Sequence, residues 1–316
     1  MKPIIPLIIA AFIPGAAVAE TVASPDGRLA VTVDTLAGGI PSYAVAYDGI
    51  TVIQPSPLGF RMADGKDYSR AMAMTSAKAD TVSRSFVQDR IKHSRVDWRA
   101  NTLSTTFRGP EGQKMTVEWE VADNDIAFRY QIPSHKEQHG AVIASEATAY
   151  RFPADSTTIF ATPQSDAMVG WKRTKPSYEE FYILDAPLTE RSQFGHGFTW
   201  PALFRVASPK GDIWALLSET GVDGYYCASH LSDNEGGVFS VAYPMPGENN
   251  GNGSAGPGTA GHDTLAHHHR RPVARADSRD SGALGRHRTP IRGHYPRATR
   301  QRHMELAAVA GQVDKL

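Results

Sequence analysis

The stretch MTVEWEVADNDIAFRYQI, from Met115 to Ile132, decides the fold class. Met115, Val117, Trp119 and Val121 fall on alternate positions, and so do Ile126, Phe128, Tyr130 and Ile132. A strand points successive side chains to opposite faces, so this period of two marks two half-buried strands. Between them Asp123-Asn124-Asp125 supplies turn chemistry. The reading is an antiparallel hairpin with a large aromatic inner face.

The same alternation, broken by Gly, Pro, Asp and Asn clusters, runs outward from Leu29 to Tyr243. It predicts further strands around Leu29 to Val33, Tyr43 to Tyr47, Thr102 to Phe107, Ala202 to Val206, Ile213 to Ser218 and Val238 to Tyr243. Nothing reads as a long helix. Many short strands at close spacing predict an all-β protein, a large antiparallel β-sandwich. With 316 residues, 41% of them hydrophobic, the chain can bury a substantial core. The single cysteine, Cys227, allows no internal disulfide, so that core must hold the fold without staples. Cys227 itself reads as a small buried apolar residue, because no histidine motif accompanies it.

The first residues read as an export signal. Lys2 precedes an apolar run from Ile4 to Ile13, then Pro14-Gly15, then Ala17-Val18-Ala19 with the small residues a signal peptidase needs. Residues 1–19 are read as the signal, cleaved after Ala19, which predicts a periplasmic or secreted protein. The run is too short, and Pro6 and Pro14 too disruptive, for a membrane span.

Charge divides the chain. Through Ala260 there are 22 Lys and Arg against 28 Asp and Glu, and from Gly261 onward 11 against 5. The mildly acidic first part lacks the basic footprint of a nucleic-acid binder.

Between Met168 and Trp200 the alternation fades into a segment carrying Trp171, Lys172, Arg173, Tyr178, Glu179, Glu180, Phe181, Tyr182, His196, Phe198 and Trp200. Long ordered loops are usually functional. Aromatic faces beside carboxylate and guanidinium groups suit sugars, whose C–H faces stack on rings while their hydroxyls take polar partners. The other reading is that these aromatics cap one end of the sandwich core. The run from Pro244 to Ser254, rich in Gly, Asn and Pro, is a loop or a domain exit.

Several stretches together resemble the N-terminal domain of glycoside hydrolase family 97, a family of bacterial α-glucosidases and α-galactosidases. They are Ser24-Pro25-Asp26-Gly27, the run from Thr162 to Tyr182, Phe198 to Phe204, Leu217 to Gly224, and the loop from Pro244 to Gly253. Their order and spacing carry the match over roughly Val22 to Pro257. The resemblance implies a super-sandwich of the galactose-mutarotase type over residues 20–257, packed in the whole enzyme on a (β/α)8 barrel that holds the catalytic carboxylates. It implies no catalytic residue in the sandwich. It also implies sugar contacts from Trp171, Lys172, Arg173 and Glu180 and, in the exit loop, from Asn249 and Asn250. A calcium ion at the family's sugar site takes one glutamate from the sandwich, which by similarity falls in Pro176-Ser177-Tyr178-Glu179-Glu180, with Glu179 preferred over Glu180. One carboxylate alone binds calcium weakly, since the ion takes six to eight oxygens.

The resemblance stops after Pro257, and the missing barrel would be the natural packing partner. From Gly261 to His303 there are ten arginines, no lysine, seven histidines, no Phe or Trp and one tyrosine. Such a composition cannot bury a core, so residues 258–316 are expected to be disordered. Taken literally the tail could be a metal tract at His267-His268-His269, an anion- or nucleic-acid-binding arm, or plain disorder. An excess of Arg, Ala, Gly, Pro and His is also what GC-rich coding DNA yields in a shifted frame. Synonymous codons from Pro257 onward, read one base later, can give a family-like entry into the barrel. Met304-Glu305 likewise forces a shifted tryptophan codon. A frameshift after Pro257 is the favoured account.

The leading expectation is therefore an exported, carbohydrate-facing domain of an α-glycoside hydrolase that is inactive without its barrel. Its rivals are a stand-alone carbohydrate-binding module and a basic-tailed interaction protein.

Overall fold

The computed structural model describes residues 19–87, 95–133, 142–164, 182–219 and 229–244, together with the backbone of 306–308 and 311–312. Those residues form strands almost throughout, with one 3₁₀ turn at Ala154–Ser156, and every strand pair is antiparallel.

The first sheet has seven strands. Its order is β1 (Glu20–Ala23), β2 (Leu29–Leu36), β3 (Ile40–Tyr47), β4 (Ile50–Pro57), β11 (Ala149–Arg151), β17 (Val238–Ala242) and β16 (His230–Leu231). The second runs β13 (Ile183–Pro187), β12 (Thr157–Ala161), β14 (Ala202–Val206), β15 (Ile213–Ser218), β18 (Leu306–Ala308), β9 (Ile126–Gln131), β8 (Lys114–Ala122), β7 (Arg95–Arg108) and β6 (Ala73–Val87), while β19 (Gly311–Gln312) pairs with β15. β5 (Phe60–Met62) and β10 (Ile143–Glu146) form a separate two-stranded ribbon.

The sheets face each other across an aromatic core, which is what makes the fold a sandwich. Tyr43 of the first sheet meets Trp119 and Phe128 of the second at ring-centroid distances of 5.3 and 5.9 Å. Farther along, Phe204 of the second sheet lies between Phe152 and Phe239, at 4.1 and 5.4 Å. Each fully buried large side chain of this kind contributes about 2 to 3 kcal/mol through removal of apolar surface from water.

The hairpin read from Met115 to Ile132 is β8 and β9. Met115, Val117, Trp119, Val121, Ile126, Phe128 and Tyr130 are all buried, and Ile132 packs partly buried against them. Turn chemistry sets the neighbouring registers too. The β3–β4 connection is Asp48-Gly49, both with positive φ (48° and 79°), the conformation whose twist matches the flanking strands and which favours Asp and Gly.

Two strands come from the tail. Leu306–Ala308 stands between β9 and β15. The sequence reading leaves this region outside the sandwich because the tail as a whole lacks core residues, but Leu306-Ala307-Ala308-Val309-Ala310 is a short apolar run within it. The segments 245–305, 309–310 and 313–316 lie outside the described residues, as do 1–18. No helix among the described residues is long and apolar enough to cross a membrane.

Candidate functional site

The long aromatic segment enters and leaves at one end of the sandwich, where three stretches are tied together by backbone. Phe198 and Leu231 exchange N–H···O=C bonds of 2.7 and 2.8 Å. Gln164 N–H donates to the Gly197 carbonyl at 2.7 Å, and Thr199 N–H to the Thr162 carbonyl at 2.8 Å. Gly197 is required at the crossing. Its φ is 84°, and a Cβ there would lie 2.0 Å from the Leu231 carbonyl oxygen.

Two polar clusters brace this frame. Buried Asp233 accepts from Ser192 N–H at 2.7 Å and Ser192 Oγ at 3.0 Å, and Arg191 lies 3.8 Å away. Ser192 Oγ in turn accepts from Gly197 N–H at 2.8 Å. The second cluster links Trp200, whose indole N–H donates to Ser229 Oγ at 3.1 Å, with Glu219, whose carboxylate accepts from Ser229 at 2.5 Å. Trp200 also meets Tyr150 edge to face at 6.3 Å. A carboxylate, a hydroxyl and an indole are thus held in one chain at the point where residues 165–181 and 220–228 join the described fold.

The described aromatics of the segment divide between the two readings. Phe198 is fully buried and belongs to the core, whereas Tyr182 is 59% exposed at the start of the edge strand β13. Leu184 of that strand and Phe194 are exposed as well. Trp171, Lys172, Arg173, Glu179, Glu180, Asn249, Asn250 and Cys227 lie outside the described residues. Among the described residues no three His, Cys, Asp or Glu side chains converge as a metal site.

The brace was not legible in the sequence. Ser192 and Asp233 are 41 residues apart, and neither sits in a motif. Glu219 falls within a stretch that carries the family resemblance, but its partner Ser229 does not.

Comparisons with known proteins agree with this architecture. The glycosyl-hydrolase 97 N-terminal family matches residues 22–264. A probable retaining alpha-galactosidase of Streptomyces bingchenggensis (strain BCW-1) is 25% identical over 212 residues, which is 67% of this chain and 29% of that protein. The crystal structure of a beta-arabinopyranosidase aligns with 93% of this chain and 40% of its own, at 37% identity and a TM-score of 0.73. A glycoside hydrolase family 97 enzyme from Pseudoalteromonas sp. strain K8, solved in complex with panose, aligns with 81% of this chain and 35% of its own. Its 21% identity and TM-score of 0.61 speak to the fold. The chain spans well under half the length of each of these relatives. By the match over residues 22–264, the chain belongs to glycosyl hydrolase family 97, whose N-terminal domain it carries.

Proposed function

We propose that this chain is the carbohydrate-facing sandwich of an exported α-glycoside hydrolase and is inactive without a catalytic barrel. The observation that carries the reading is the family match over residues 22–264.

The frame at Gly197 and Leu231 holds Gln164, after which the sequence carries Trp171, Lys172, Arg173 and Glu180, the residues proposed to contact sugar. The exposed Tyr182, Leu184 and Phe194 supply apolar surface for a barrel to cover. Glu179 offers one oxygen donor of the hard type calcium takes, and the remaining ligands would come from the barrel. Export is supported by the position of β1, whose first residue Glu20 follows the expected cleavage site.

The sugar is proposed to have the galacto configuration. The names of the alpha-galactosidase and beta-arabinopyranosidase relatives point the same way, because the L form of β-arabinopyranose carries the ring hydroxyl arrangement of α-D-galactopyranose without the hydroxymethyl group. Calorimetry of the purified 316-residue chain with methyl α-galactoside, maltose and calcium is the test. No saturable heat is expected without the barrel. Saturable sugar binding by the chain alone would overturn this reading in favour of a self-sufficient carbohydrate-binding module. The nucleotide sequence around the Pro257 codon tests the frameshift directly.

A further inference from the structure

The outer edge of the ten-stranded sheet is self-complementary, and we infer that two copies of this chain associate by antiparallel pairing of β6 with β6 about Ala79. β6 is 15 residues long and, among the described residues, ends the sheet, with β7 as its pairing partner on one side. From Thr75 to Thr81 every residue is exposed on both faces, so this part of the strand stands clear of the described sandwich.

The register shows which backbone groups face outward. Ala122 N–H donates to the Asp125 carbonyl at 2.8 Å, so even-numbered residues of β8 bond toward β9 and odd-numbered ones toward β7. Carried through the pairs Asn101↔Val121 and Asp80↔Thr102, even-numbered residues of β6 bond toward β7. Odd-numbered ones, including Ala77, Ala79 and Thr81, turn their N–H and C=O groups to the free edge. The Thr81 N–H agrees, because it donates to the side-chain Oδ1 of Asp80 at 2.8 Å.

A second copy placed antiparallel about Ala79 satisfies this edge. Ala77 then faces Thr81, and Ala79 faces its own counterpart, with their outward groups exchanging hydrogen bonds. Lys78 faces Asp80 twice, once on each side of the two-fold axis. These even-numbered pairs fall at the non-hydrogen-bonded positions, where facing Cα atoms are about 4.5 Å apart and side chains interact most closely. On pairing, Asp80 gives up the Thr81 N–H to the partner's backbone and takes the partner's lysine instead. A lone lysine on an edge strand opposes pairing. An aspartate two residues away on the same face turns that repulsion into a pair of attractions, which is why the fitting occupant is a second copy and not an arbitrary strand.

Sedimentation equilibrium of the full chain across micromolar concentrations is the experiment. A monomer–dimer equilibrium is expected. Lys78→Asp alone and Asp80→Lys alone should each weaken it by at least about tenfold, because like charges then oppose each other at both positions. Both substitutions in one chain should restore it, and so should an equimolar mixture of the two single variants. Circular dichroism should show the strand content unchanged, since both side chains are exposed. A chain that stays monomeric throughout, or a dimer indifferent to the reversals, overturns the inference.

Discussion

Trp98 donates its indole N–H to the Asp125 carboxylate at 3.2 Å, joining the outer part of β7 to the β8–β9 turn. Arg84 stacks over the same indole, 4.9 Å from its ring, while holding both carboxylate oxygens of Glu120 at 2.5 and 3.0 Å. Asp125 is therefore a carboxyl group packed against an aromatic ring, beside Glu120 and Asp123. Burial pushes it up to about 6, the nearby carboxylates add to the shift, and the Trp98 bond and Arg84 oppose it.

The raised value makes stability pH-dependent in a defined direction. Between about pH 4 and 6 the folded chain keeps a proton that the unfolded chain has released, so this group's contribution is full below pH 4 and is lost as pH rises through 6. Asp125→Asn keeps an oxygen for Trp98 and removes the charge. It should stabilise the protein by on the order of 2 kcal/mol at pH 7.5 and by almost nothing at pH 4, measured by urea unfolding at both. An equal gain at both pH values would show that ionisation is not the cause.

Gly197→Ala should be costly for steric reasons alone. The added methyl would meet the Leu231 carbonyl at 2.0 Å and Ser232 backbone at 2.8 Å, and φ of 84° is unfavourable for alanine. The exchange of bonds between Phe198 and Leu231 would have to shift. A loss of more than about 2 kcal/mol is expected, read as a lower denaturation midpoint with an unchanged slope. Gly195→Ala, where φ is 71° but nothing lies within 4 Å, should cost clearly less.

Asp233→Ala should separate a hydrogen-bonding role from a packing one. It strands the Ser192 N–H and hydroxyl in a buried setting, which costs about 2 to 4 kcal/mol, whereas Asp233→Asn retains one acceptor and should lose less than half of that. Thermal unfolding of the two variants ranks them. Equal losses would mean that the Ser192 contacts are incidental.

Several strands whose residues are sorted by burial were legible, whereas β12, which is also sorted but reads TTIFA without a polar alternation, and β6, exposed on both faces, were not. Leu29, Val31 and Val33 take alternate positions because one face of β2 is in the core, and the same holds for β8, β9 and β14, whereas β15 was legible as a short apolar run. β6 went unread because Thr75 to Thr81 has both faces in solvent, which leaves no apolar period to detect. Its pairing with β7 makes it a strand, and pairing is written in the partner. The candidate segment from Met168 to Trp200 was recognisable by composition and family resemblance, yet the brace in the described fold depends on Ser192, Gly197 and Asp233 meeting across it. No local pattern encodes that meeting.

The 316-residue chain should hydrolyse neither aryl α-galactosides nor aryl α-glucosides, with or without calcium. Hydrolysis needs two carboxyl groups held across the scissile bond at about 5 to 10 Å, one acting as acid and the other as base or nucleophile. Glu219 is engaged by Ser229 at 2.5 Å within the brace, and Asp233 is buried beneath Ser192, so neither is presented as half of such a pair. Misplacement of a catalytic group by about 1 Å already costs about a hundredfold in rate, so carboxylates without a rigid mount cannot substitute. On the proposed frameshift, deleting one base after the Pro257 codon and extending the reading frame through a barrel should create activity that release of nitrophenol reports. Turnover by the unaltered chain, abolished by Glu179→Gln or Glu180→Gln, would place the catalytic groups in the sandwich and overturn their assignment to a barrel.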